Sequence, residues 1–275
     1  MSHVHVDGLI SHSLAPDRRL LGENAEKGAP LGVANVGRVF PSHLIGQQHH
    51  TVVDLGNVKR VAMMVTPEGG GDFRDEAWEA VSTIRAILRQ QGEPMAVTMQ
   101  TVFIRDRADV PAAKQIFEAY YGERMPLTLF VVQPPCEGRG LAIEAWAVSA
   151  STAKVDYHGE HLVTVSYDGM RWIYASGGSL HREGRTAYEQ SLEAFESMRR
   201  VLAEAGAAFE DVVRVWLYQG CITEVVDGVE RYRELNRART DFLPISPSIT
   251  GLYRWCIQAT PFIRLVQALA RIATV

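Results

Sequence analysis

Few residues in this chain are spaced for covalent or metal chemistry. The three cysteines, Cys136, Cys221 and Cys256, are far apart in sequence. Cys221 follows Gly220 at the end of an apolar run, a position where a nucleophile could sit. A thiolate needs a neighbouring base, and no histidine is near it in sequence. Cys221 and Cys256 therefore read as buried structural thiols. His3, His5 and His12 have no acidic or cysteine partner at ligand spacing, and His49 and His50 are neighbours on an extended segment, where alternate rings point to opposite sides. No metal is expected. Gly69-Gly-Gly71 lacks the Lys-Ser/Thr that completes a phosphate loop, so it reads as a turn. Arg231, Arg233, Arg237 and Arg239 alternate with Glu230, Glu234 and Asp241, which reads as an ion-paired helix face. Trp146, Trp172 and Trp216 fall on apolar strands and read as core or interface.

The elements that must position any site repeat themselves. Glu79-Ala80, Arg85, Leu88 and Gly92 recur as Glu193-Ala194, Arg199, Leu202 and Gly206, each 114 positions later. The same offset carries Thr101–Ile104 onto Val215–Tyr218. A repeat of that length is a whole small domain rather than a solenoid unit. Two copies of one α+β domain are expected, with function where the copies differ or meet.

Composition is compatible with that reading. The 275 residues are 47% hydrophobic and 22% charged, which leaves room for two ordinary cores. A net charge of −4 without a Lys/Arg-rich run argues against nucleic acid as a partner. No segment is apolar enough to span a bilayer, the N-terminus has no signal pattern, and sparse cysteine fits a reducing compartment. A soluble cytoplasmic protein is expected, without membrane partners.

Residues 1–32 read as a poorly patterned leader, 33–150 as the first domain and 155–275 as the second. In the first, Val58–Val65 reads as a strand. A helix capped by Asp72 or Asp75 follows, with Ala77, Val81, Ile84 and Leu88 inward and Gly92 as its stop. Val97–Ile104 reads as a strand, Ala112–Tyr121 as a helix, and Leu127–Val132 and Leu141–Val148 as closing strands. In the second, His161–Tyr167 and Arg171–Ala175 flank the hairpin signal Asp168-Gly169. A helix with Tyr188, Leu192, Phe195 and Leu202 inward follows, then the strand Val212–Tyr218 and a helix from Val229 to Phe242. Leu265–Ile272 reads as a short amphipathic helix or a cryptic strand. Val102, Leu129 and Val131 are too apolar to face water, so the sheet face away from the helices is expected to pack on another sheet, from a different domain or subunit.

This element order, with Glu-Ala-x4-Arg-x2-Leu-x3-Gly in the first helix, resembles the Rid superfamily (YjgF/YER057c/UK114). The local matches are Tyr174-Ala-Ser-Gly177, Leu192 through Asp211-Val-Val213, Leu235-Asn236 through Phe242, and Gly140-Leu-Ala-Ile-Glu-Ala145. The resemblance implies tandem chorismate-mutase-like domains, each a mixed sheet covered on one face by two helices. It also implies a trimeric barrel with small-molecule pockets between neighbouring domains, and no cofactor. By the same resemblance Glu144 orients a water, Ser176, Gly177 and Asn236 line the pocket, and an Arg two residues after a Pro holds a substrate carboxylate. Here those positions read Pro126-Leu-Thr128 and Pro247-Ser-Ile249, without the Arg. Arg239 and Arg254 are the candidate replacements, and Arg239 lies three positions beyond Asn236. Pro247-Ser-Ile-Thr250-Gly251 also resembles the Pro-x-x-Thr-Gly turn of the chorismatases, which adds Thr250 to the candidate residues. That family's final-strand Glu has no counterpart, since no Asp or Glu follows Asp241. The implied functions are hydrolysis or deamination of a carboxylated enamine, imine or enol ether to a 2-oxo acid, chorismate hydrolysis, or ligand binding and scaffolding without catalysis.

Overall fold

The structure, a computed structural model, describes residues 49–135, 138–180, 185–243 and 264–272, the side chains of 178–180 and 264–272 excepted. The first half runs β1 (His49–Asp54), β2 (Lys59–Val65), α1 (Phe73–Arg89), β3 (Met95–Ile104), α2 (Val110–Tyr121), β4 (Leu127–Val132) and β5 (Leu141–Ser149). Its strands form one mixed sheet in the order β1-β2-β5-β3-β4. β5 lies antiparallel between β2 and β3, and β4 runs parallel to β3. Helix α1 starts where the Asp72 carboxylate accepts the Asp75 N–H at 3.0 Å, a side-chain N-cap. Its buried stripe, Ala77, Val81 and Ile84, packs with Val61, Met63, Ile143 and Ala145 on one face of the sheet.

The second half runs β6 (Lys154–Tyr157), β7 (Leu162–Tyr167), β8 (Met170–Leu180), α3 (Ala187–Glu204) and β9 (Val212–Gln219). The short pair β10 (Val225–Val226) and β11 (Val229–Glu230), α4 (Arg231–Phe242) and β12 (Arg264–Ile272) follow. The sheet order is β6-β7-β8-β12-β9. Asp168 (φ 47°) and Gly169 (φ 71°) both occupy the left-handed region, as a two-residue hairpin turn of the I′ type requires. The tail, ambiguous in sequence, is a strand: β12 lies parallel to both β8 and β9, whereas β5 in the matching position is antiparallel to its neighbours.

The repeated residues all have structural work. Glu79 accepts the N–H groups of Glu68 and Gly69 at 2.8 and 3.1 Å and so ties the loop before α1 to the helix. Glu193 pairs with Arg185, in the loop before α3, at 3.0 Å. Arg85 lies over the Tyr120 ring of α2, and Arg199 over the Phe242 ring of α4. Ala80 and Ala194 are fully buried, and Leu88 and Leu202 each pack into a core. Gly92 (φ 74°) and Gly206 (φ 66°) take the positive φ that ends a helix with glycine.

The 114-residue register fails in the next strand. Val102 and Ile104 face the helices, but Trp216 and Tyr218, 114 positions on, face the other way, among the residues packed between the sheets. β3 and β9 carry the same irregularity, after Val97 and after Val212, so the extra residue lies before the strand: Val97 follows Gly92 by five positions, Val212 follows Gly206 by six. One residue more reverses every side chain beyond it.

The faces turned away from the helices pack on each other. Met99, Leu127, Leu129, Val131 and Val148 of the first sheet join Val163, Val165, Tyr167 and Tyr174 of the second in one apolar layer. Trp146, Trp172 and Trp216 border it. The expected cover for the apolar faces thus comes from within the same chain.

Candidate functional site

Alternation along β5 decides where Glu144 points. Ile143, Ala145 and Ala147 pack under the helices, so Glu144 and Trp146 look into the layer between the sheets. There the Trp146 Nε1–H donates to Glu144 Oε1 at 3.3 Å. Met64 on β2 and Thr101 on β3 flank Glu144 in register. From the opposite sheet comes Tyr218, whose ring meets Phe103 edge-on at 6.1 Å. Burial raises the Tyr218 pKa above the usual tyrosine value; the Thr101 hydroxyl, hydrogen-bonded to it, pulls the other way, and the Glu144 charge raises it further. A half-buried carboxylate and a phenol held in its neutral form thus share one polar spot in an apolar layer. Such a pair can accept and donate a proton.

A second polar contact crosses the layer. Arg60 Nη2 donates to the Tyr174 hydroxyl at 3.0 Å, and the guanidinium lies 4.2 Å from the centroid of the Trp172 ring. Trp172 Nε1–H donates to the Tyr167 hydroxyl at 2.9 Å. These contacts satisfy buried polar atoms and fix the two sheets against each other.

The other sequence-predicted residues are dispersed. Ser176 is buried on β8, where its N–H donates to the His161 carbonyl, and it stands on the same face as Tyr174. Gly177 faces α3 instead: a Cβ there would lie 2.8 Å from the Ala194 carbonyl oxygen. Helix packing accounts for this glycine. Asn236 sits on α4, where its Nδ2–H donates to the Tyr232 carbonyl at 2.9 Å. Arg239 is exposed on the last turn of the same helix. Since α4 packs on α3 through Leu235, Ala238 and Phe242, the second sheet separates Asn236 and Arg239 from Glu144 within one chain. Thr250 and Arg254 lie outside the described residues, as do His3, His5, His12, Cys136 and Cys256. Cys221 is exposed, with φ 47°. It is not the buried thiol expected from sequence, because the turn after β9 lifts it clear of both layers. Among the described residues no group of His, Cys, Asp or Glu is arranged to hold a metal.

Sequence reasoning did not single out Thr101, Tyr218 or Arg60. Their only local signal is a polar residue in an otherwise apolar strand, and its meaning depends on which face the residue occupies.

The fold is an α+β arrangement of two mixed sheets, face to face, with helices outside. Solved structures of the Rid/YjgF family are similar to part of it. A putative translation initiation inhibitor from Salmonella typhimurium is 19% identical, with a TM-score of 0.31, over 36% of this chain and 96% of its own. The YjgF protein of E. coli is 26% identical over 35% of this chain and 84% of its own, again with a TM-score of 0.31. RidA from an Antarctic Psychrobacter is 22% identical over 34% and 83%, with the same TM-score. No family model and no curated protein matches the chain. No helix among the described residues is long and apolar enough to cross a membrane.

Proposed function

We propose that the chain is a Rid-type small-molecule enzyme built of two related units, residues 33–150 and 155–275. It hydrolyses or deaminates a carboxylated enamine, imine or enol ether and releases a 2-oxo acid. One observation carries this reading: Glu144 is kept on an apolar sheet face, opposite the hydroxyls of Tyr218 and Thr101. A carboxylate and a phenol close together in an apolar layer can accept and donate a proton. Glu144 positions the water or takes its proton, and Tyr218 returns one to the leaving group. Asn236 and Arg239 would reach the substrate from a neighbouring subunit, which requires an assembly such as a homotrimer. The exposed edge strand β1, with Val52 and Val53 uncovered, supports association. We place the protein in the cytoplasm, acting without a cofactor.

A second reading, a non-catalytic ligand-binding or scaffold protein, draws support from two contacts. Asn236 is engaged by its own helix, and Gly177 is explained by packing. A proton NMR time course separates the readings. Purified protein is given chorismate in one tube and, in another, the imine formed in situ from alanine by an amino-acid oxidase. Accelerated pyruvate release that disappears in Glu144→Gln, at unchanged melting temperature, supports the enzyme. Pyruvate from chorismate alone identifies the chorismatase-like variant. Rates equal to the protein-free control in both tubes eliminate the enzymatic reading.

A further inference from the structure

On the helix side of the second half, a cleft of about 160 Å³ opens between the start of α3, the β10–β11 hairpin and the start of α4. Its arginines are not equivalent. Arg185 pairs with Glu193 at 3.0 Å, and Arg237 pairs with Glu234 at 3.2 Å and lies over the Tyr188 ring. Arg231 has no ion-pair partner among the described residues. Its Nε–H donates to the Gly220 carbonyl at 3.3 Å, while Nη2 is buried and has no hydrogen-bond partner among the described residues. A buried guanidinium nitrogen without an acceptor is rare in folded proteins and asks for an explanation.

We infer that this cleft binds a small aliphatic monocarboxylate, with Arg231 as its anchor. Arg185 and Arg237 are each paired with an acid, Glu193 and Glu234, which leaves Arg231 as the cation of the lining without an ion-pair partner among the described residues, with Asp227 the remaining acid. That balance suits a carboxylate and disfavours a phosphate dianion, which the two acidic side chains of the lining would repel. Val226 and Val229, 45% and 37% exposed, give the opposite wall an apolar surface for the aliphatic part. A guanidinium fork matches a carboxylate in two hydrogen bonds. The second sheet separates this cleft from Glu144, so the inference stands or falls independently of the proposed reaction.

The test is a methyl NMR titration of the full chain with 3-methylbutanoate, with inorganic phosphate and 3-methylbutanol as separate probes. The expected result is saturable shifts of the Val226 and Val229 methyl signals with 3-methylbutanoate only. Arg231→Gln is expected to weaken that binding at least 10-fold. Because Arg231 also holds the Gly220 carbonyl, Arg185→Gln, on the other wall, serves as a second variant, with a several-fold loss expected. No saturable shift of these methyls in the wild-type protein overturns the inference. So does equal or tighter binding of phosphate or the alcohol, or unchanged affinity in both variants.

Discussion

Arg60 on β2 donates a hydrogen bond to the hydroxyl of Tyr174 on β8 at 3.0 Å, and the two residues are 114 positions apart. That is the spacing of the repeated helix motif. Near a two-fold axis relating the two sheets, residues at this spacing would come together. Val58, the counterpart of Trp172 at the same spacing, lies in the same apolar layer as Tyr174. Strands β2 and β8 thus meet across the layer between the sheets.

Tyr174→Phe removes this hydrogen bond but leaves Arg60 stacked on Trp172. Hydrogen bonds to charged groups contribute about 1.5–3 kcal/mol, so a loss near the lower end is expected in urea unfolding. Arg60→Ala removes both contacts and is expected to cost more than Tyr174→Phe.

Gly177→Ala places a methyl 2.8 Å from the Ala194 carbonyl. Backbone cannot yield as a flexible side chain does, so overpacking of about 1–3 kcal/mol is expected. The midpoint of chemical denaturation reads it directly. An alanine variant of unchanged stability would return Gly177 to the list of ligand-binding candidates.

Glu79→Ala strips the N–H groups of Glu68 and Gly69 of their acceptor. Each orphaned buried donor costs about 1–3 kcal/mol, and because Glu68 and Gly69 are only half-buried a loss near the lower end for the two, roughly 2 kcal/mol, is expected.

Glu144→Gln removes one of the causes that raise Tyr218. The Tyr218 pKa is therefore expected to fall, seen as an earlier rise of tyrosinate absorbance in the variant than in the wild type. An unmoved titration would show that the two groups are not electrostatically coupled.

Alkaline pH is expected to destabilise the fold. Burial pushes Tyr120 and Tyr157 up to about 12, above the ordinary value near 10. Their contribution is fully present below about pH 10, the unfolded value, and is lost as pH rises towards about 12. In that window the unfolded chain has released protons that the folded chain retains. Urea unfolding at a series of pH values should show the decline, and Tyr120→Phe should make it shallower.

Much of the local structure was legible because it is encoded locally. Leu127–Val132 is a strand with the ends read from its apolar run, and the Asp168-Gly169 turn follows from two residues that tolerate positive φ. The candidate site was only partly legible. Glu144 stood out through a resemblance in one strand, but Tyr218 comes from the other sheet. One residue more between Gly206 and Val212 than between Gly92 and Val97 shifts the strand phase, so that spacing alone assigns Trp216 and Tyr218 to the wrong face.

The sequence by itself determined the helices, their caps and stops, most strands, and the repeated Glu, Arg and Gly that fasten each first helix to its surroundings. All of these depend on periodicity and on contacts among neighbouring elements. Tertiary structure decided which apolar faces meet, that Arg60 finds Tyr174, and that Arg264–Ile272 becomes a strand between β8 and β9. Those outcomes depend on pairing partners far away in the chain. Strand pairing and burial are settled by what lies opposite a residue in space, and no local pattern records that.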